Sequence, residues 1–193
     1  MSPGKYAATA FVVPGGPGGS ALVSALTAAV VSREGGFVLH AAGVEIDGRA
    51  VLFIGPSGAG KTTAANHCQG ARWLARDRAV VYPTPLGWYA AGLAGGSDPV
   101  ELTRSPHPLM PIGQLLRVRG ASPHVSVRES GVLDALRDLR ESVTSAELDR
   151  ADEASTLDTL TELCGQVLVG QLSFPLGARV GDHMRAQVRR GAR

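Results

Sequence analysis

A chain of 193 residues, 44% of them hydrophobic, is long enough to bury a substantial core, and its length predicts one domain over residues 1–193. A net charge of +2 excludes bulk attraction to a polyanion, and no apolar run reaches the roughly 18 residues of a membrane span, so neither nucleic acid nor a membrane is expected as a partner. The two cysteines, Cys68 and Cys164, lack metal-ligand spacing and read as reduced thiols of a cytoplasmic protein.

In chain order, Ala10–Val13 reads as a short strand. A helix is expected from about Ala21 to Arg33, capped by Ser20 and ended by Gly35-Gly36. Its apolar stretch follows Gly-Gly-Pro-Gly-Gly-Ser rather than a basic leader, so no signal peptide is expected. Strands are expected at Phe37–Ala41, Val44–Ile46 and Ala50–Ile54, the last two joined by the hairpin signal Asp47-Gly48. A helix should then follow from Thr63 to near Gly70. Arg72–Ala75 and Ala79–Tyr82 suggest strands on either side of Arg76-Asp77-Arg78. Pro83–Pro111, rich in Gly, Pro and Ser, reads as a long loop with one short strand at Trp88–Ala90. Ile112–Val118 reads as a strand. Gly131–Val143 has the helical period Val132, Leu133, Leu136, Leu139 and Val143, and Ala154–Val169 repeats it with Leu157, Leu160, Cys164, Val167 and Leu168. The carboxylates of Glu129–Glu162 alternate with arginines, as in Asp134, Arg137, Asp138 and Glu141, and read as solvated helical surface. The last residues, 184–193, form a basic tail expected to be a solvated, frayed end. Interleaved strands and helices place the chain in the α/β class.

The run Gly55-Pro56-Ser57-Gly58-Ala59-Gly60-Lys61-Thr62 carries the most chemistry. It fits the phosphate-binding pattern of Gly, four residues and Gly-Lys-Ser/Thr, between a buried strand and a helix start. Such a loop aims successive backbone N–H groups at phosphate oxygens. Gly55, Ser57, Gly58, Ala59, Gly60, Lys61, Thr62 and Thr63 are therefore the expected nucleotide-binding residues, with the Thr62 hydroxyl available to Mg²⁺. The chain has two lysines, Lys5 and Lys61, against seventeen arginines. Lysine thus stands where a slim ammonium fits and a broad guanidinium does not. The metal needs a carboxylate. Between Lys61 and Asp98 the only acid is Asp77, which either binds Mg²⁺ or pairs with Arg76 or Arg78 as a turn aspartate.

Leu39 to Gly48, Gly55 to Thr63 and Gly70 to Arg78 together resemble the catalytic domain of HPr kinase/phosphorylase and the broader group of HPr-kinase-like ATP-binding proteins. The clear match covers residues 37–82, and Pro111–Leu116 is similar to a later strand of that family. The resemblance implies a mixed β-sheet around the phosphate loop with flanking helices, as in phosphoenolpyruvate carboxykinase. It also implies Mg-ATP as cofactor, phosphoryl transfer to a serine-type hydroxyl of a protein or peptide, and assembly as a homo-oligomer. By position, Lys61 and Thr62 match the phosphate and metal residues. His40, 21 residues before Lys61, matches the family's upstream histidine. On this resemblance Asp77, His40 and Lys61 are the catalytic candidates, and Thr62 and Asp77 the metal ligands. His40 taken alone would read as a hydrogen-bonded strand histidine.

Two departures bear on activity. The family carries two consecutive aspartates where this chain has Arg76-Asp77, and an arginine cannot accept a proton from a hydroxyl. The Glu-Ile-Arg-Gly-Leu-Gly type signature of HPr kinases proper is also missing. Three functional classes therefore follow from the sequence: an ATP-dependent kinase, a nucleotide-binding module that has lost catalysis, and another type of P-loop NTPase.

Overall fold

The computed structural model describes residues 29–32, 34–93, 109–144 and 150–191. The expected strand at Ala10–Val13 and most of the helix from Ala21 lie outside them. The end of that helix is present as helical residues 29–32, and the chain leaves it with Gly35 in the left-handed region.

The first strand, β1 (Phe37–Ile46), turns into β2 (Arg49–Ile54) through Asp47 and Gly48, at φ +49° and +76°. Two successive left-handed residues match the right-handed twist of a hairpin, which is why Asp-Gly stands there. β1 is one continuous strand, where two strands, Phe37–Ala41 and Val44–Ile46, were expected. A β-carbon on Gly43 would lie 2.6 Å from Leu52 Cδ2, so glycine is what lets the neighbouring strand's leucine pass.

After β2 come residues 55–60 and the short helix α1 (Lys61–Asn66), then β3 (Arg72–Ala75), β4 (Arg78–Thr84), β5 (Gly87–Gly92) and β6 (Met110–Val118). β7 (Ser126–Glu129), α2 (Val132–Ser142), α3 (Arg150–Gln166), β8 (Leu168–Ser173) and α4 (Val180–Gly191) complete the described chain. The architecture is mixed α/β. Eight strands join in a mixed sheet, ordered β2-β1-β4-β5-β6-β8-β7, with β3 beside β1 and a further pairing of β2 with β6. The β2–β6 and β6–β8 pairings are parallel and the others antiparallel.

Alternation along the central strands divides the core into two faces. Leu52, Ile54 and Leu115 face Ala135 and Leu139 of α2, Leu160 and Leu163 of α3, and Trp88 of β5. Val51, Phe53, Leu116 and Val118 face Ala64 and Ala65 of α1, Cys68 just beyond it, and Val180, Met184 and Val188 of α4. The sheet is thus covered on both faces, as parallel pairing usually requires.

Several expectations are corrected here. The long loop 83–111 is structured at its start. β4 runs to Thr84, and Thr84 Oγ1 closes the turn by donating to Gly87 O and accepting from Leu86 N–H. β5 then returns through Gly92, pairing with β4 from Ala79↔Gly92 to Thr84↔Gly87. Pro83 is tolerated because β4 has by then run past its pairing with β1, which ends at Val81. Residues 94–108 lie outside the described chain. The helix after the glycine-rich run stops at Asn66 rather than near Gly70, and the later helix stops at Gln166. Leu168 instead opens β8, which is drawn into the sheet by parallel pairing with β6.

The basic tail 184–193 is the largest change. Through Gly191 it belongs to α4, whose Val180, Met184 and Val188 form a buried stripe at helical spacing. Arg185 and Arg189 lie toward its outer side. Arg185 donates to Gln69 O at 2.6 Å, and Arg189 pairs with Asp47 at 2.8 Å. Both thiols are free. Burial pushes the Cys68 thiol up to about 12, which keeps it protonated at neutral pH. Among the described residues no helix is long and apolar enough to cross a membrane.

Met184→Ala tests the position of α4. A fully buried methionine replaced by alanine is expected to cost about 2–4 kcal/mol in chemical denaturation. A change within about 0.5 kcal/mol would mean that this segment is an unpacked tail.

Candidate functional site

β2 and β6 run parallel and side by side, with Ile54 in register with Arg117. The chain therefore leaves β2 into residues 55–60 beside the end of β6. Ligands of open α/β sheets gather at this end of the strands. Gly55, Gly58 and Gly60 hold φ at +137°, +77° and +93°. Around Gly58 no atom lies within 4 Å of where a β-carbon would stand, so glycine is required there by backbone conformation rather than by space. Gly55 differs: its α-carbon also faces Val118 O and the Arg117 side chain, at 3.7 and 3.8 Å from the position a β-carbon would take. Ser57 and Gly58 form the exposed tip, and Ala59 and Gly60 are half-buried.

Lys61 opens α1 and is 8% exposed. Its ammonium donates to Gly55 O at 2.8 Å and Pro56 O at 3.0 Å, so the side chain lies folded along the loop. Burial lowers its pKa; the Asp77 carboxylate opposes this shift and the Arg117 charge adds to it. Thr62 follows, exposed, then Thr63, half-buried.

Asp77 reaches this place through the pairing of β1. One edge of β1 meets β4 from Phe37 to His40 and β3 from Gly43 to Glu45. Between those two contacts the chain turns at Arg76-Asp77. Asp77 O accepts from Ala41 N–H at 2.9 Å, which fixes the turn to β1. His40 Nε2 lies 3.2 Å from Asp77 Oδ1, and Arg78 Nε lies 3.6 Å from Asp77 Oδ2. The turn aspartate thus pairs with His40 and Arg78, and its carboxylate remains 61% exposed. Arg76 lies over the Trp73 ring, 4.9 Å from its centroid. The structure brings Lys61, Asp77 and His40 together at one end of the sheet, with Thr62 and Thr63 next to Lys61 on α1.

A cluster next to this group was missed by sequence reasoning. Arg117, 8% exposed, places its guanidinium 2.7 Å from Glu141 and 3.1 Å from Asp138, both on α2. Arg119 reaches Asp138 at 3.4 Å. Asp138 is buried, so the reading of Asp134, Arg137, Asp138 and Glu141 as one solvated surface is corrected. The buried stripe of α2 is Ala135, Asp138, Leu139 and Ser142, whereas Val132 and Leu133 are 62% and 79% exposed. Burial raises the Asp138 pKa against the opposing charges of Arg117 and Arg119. The hydrogen bond from Arg117 lowers that of Glu141. The legible signal was Arg117 itself, the one charge inside an otherwise uncharged strand.

Residues 21–95 match the model of a family described as SynChlorMet cassette protein ScmC, a stretch that takes in β1 to β5 with the glycine-rich run, His40 and Asp77. None of the curated proteins matches the chain.

Asp138→Ala is expected to cost about 3 kcal/mol in denaturant titration, because it removes a partner from a buried arginine. The control Asp134→Ala, on the exposed side of the same helix, should change stability by less than about 0.5 kcal/mol. Equal small effects at both positions would restore the surface reading.

Proposed function

We propose that this chain is a Mg-ATP-binding protein of the HPr-kinase-like type, with the phosphoenolpyruvate carboxykinase-related P-loop arrangement. In this reading it transfers a phosphoryl group to a serine-type hydroxyl of a protein or peptide. The observation that carries the proposal is one juxtaposition. A loop with three left-handed glycines ends in a buried lysine, and beside it a histidine and an aspartate lie 3.2 Å apart.

The loop amides and Lys61 would take the phosphates. Lys61 would exchange its two carbonyl contacts for phosphate oxygens, which are stronger partners for a charged donor. The exposed Thr62 hydroxyl and Asp77 carboxylate are hard oxygen donors of the kind Mg²⁺ accepts, and Mg²⁺ supplies charge neutralisation on the transferring group. Asp77 can orient the His40 imidazole, so that the pair accepts the hydroxyl proton. Arg76 cannot take that part, but a cation beside the site can stabilise charge on the phosphoryl group.

Arg76 also motivates a second reading, a nucleotide-binding module without transfer. The resembling family has its first aspartate at that position, and here an arginine occupies it.

The binding claim is tested with ATP and Mg²⁺ in a thermal shift assay. At about 100 times Kd, ligand should stabilise the protein by about 2.7 kcal/mol, and Lys61→Ala should abolish the shift. An equal shift in the variant would remove the loop from the site. The transfer claim is tested with labelled ATP and peptide acceptors. Label transfer by the unmodified protein supports the kinase. Transfer only after Arg76→Asp supports the binding module.

A further inference from the structure

The geometry points to Arg117 as a second cation for the phosphate end of the bound nucleotide, with Glu141 as a carboxylate that occupies it and must yield to a triphosphate. The inference rests on the phosphate-loop reading but adds a residue and a control that the loop pattern does not contain.

Arg117 lies at the end of β6, in register with Ile54, and its Cδ stands against Gly55. Lys61 Nζ is bonded to the carbonyl of that same Gly55. The two cations are thus separated by a single loop residue. They lie within electrostatic reach, since the Arg117 charge adds to the lowering of the Lys61 pKa. Two buried positive groups thus meet at one strand end, and an anion carrying several charges gains most there once Glu141 yields its place on Arg117.

The partners of Arg117 are unequal. Asp138 is buried, with its side chain 3% exposed, and is shared with Arg119. Glu141 is reached from solvent, its side chain being 53% exposed. Arg117 Nε is buried with no hydrogen-bond partner, an unusual state for a guanidinium nitrogen. Arg117 Nη1 is thus held from the buried side by Asp138, the same nitrogen is held from the solvent side by the exchangeable Glu141, and the Nε donor awaits an acceptor. A phosphate oxygen offers what both of the latter need: an anionic acceptor that can replace Glu141, and lone pairs for the unpaired N–H. Asp138 then serves as a positioning residue, keeping the arginine beside Gly55 while its outer partner changes.

The test compares ATP, ADP and AMP binding by calorimetry in the unmodified protein and in Glu141→Gln and Arg117→Lys, with ligand-free melting recorded for each. Removing the competing charge in Glu141→Gln should tighten ATP binding roughly 1.5-fold to fivefold, the scale of one exposed ion pair, and leave AMP unchanged. Arg117→Lys keeps the charge but loses the fork, and should lower the preference for ATP over AMP. Glu141→Gln is an exposed change, so its result stands whether or not Arg117→Lys folds. If the unmodified protein binds ATP and Glu141→Gln binds it no more tightly, the role of Arg117 and Glu141 falls and the loop reading stands. If the unmodified protein binds no nucleotide, both fall. A uniform change for all three nucleotides would also overturn the proposal, because a purely structural effect does not distinguish phosphate number.

Discussion

The parallel pairing of β2 with β6 is the constraint on which the rest depends. A parallel pair cannot be closed by a tight turn, so the chain must travel away and return, and its strands end on the same side. β2 releases the glycine-rich loop there, and β6 delivers Arg117 and Val118 next to it. The pair is stable because both of its faces are covered. Leu52, Ile54 and Leu115 are closed over by α2 and α3, and Val51, Phe53 and Leu116 by α1 and α4. Burial of each such side chain contributes on the order of 1.5–3 kcal/mol, so the apolar layers hold the two strand ends in fixed register.

The divided edge of β1 is the second constraint. A strand of ten residues meets β4 with its first part and β3 with its second, and the link between those partners has to cross the edge near Ala41. Arg76 and Asp77 are the residues at that crossing. Backbone pairing, rather than any preference of the aspartate, sets its carboxylate beside His40 and within electrostatic reach of Lys61. The proposed proton acceptor and the proposed phosphate residues thus come from three separate segments held by one sheet.

The charges follow the same economy of position. Lys61, Arg117 and Asp138 are all buried, and each is compensated at short range: Lys61 by loop carbonyls, Arg117 by two carboxylates, Asp138 by two arginines. Buried charges survive in proteins only with such partners. The arrangement leaves α2 tied to the strand end next to the loop.

By itself the sequence determined the local features. The Asp47-Gly48 turn, the strand before Gly55, the glycines of the loop and the lysine at the helix start were legible because each depends on the backbone preference of one or two residues. Lys61 and Asp77 were candidates through the glycine-rich pattern and its need for a carboxylate, and His40 only through resemblance. Tertiary structure alone decided the rest. Pro83 and its glycine neighbours suggested a loop, yet strand pairing at an edge tolerates them. Leu168 continued a helical period, yet an open edge of β6 drew it into the sheet. The arginines of the C-terminal segment hid the buried stripe of Val180, Met184 and Val188. Asp138 looked like its neighbour Asp134, and only the meeting of α2 with Arg117 separates a buried ion pair from a solvated one. Such contacts join residues distant in sequence, and no local pattern records them.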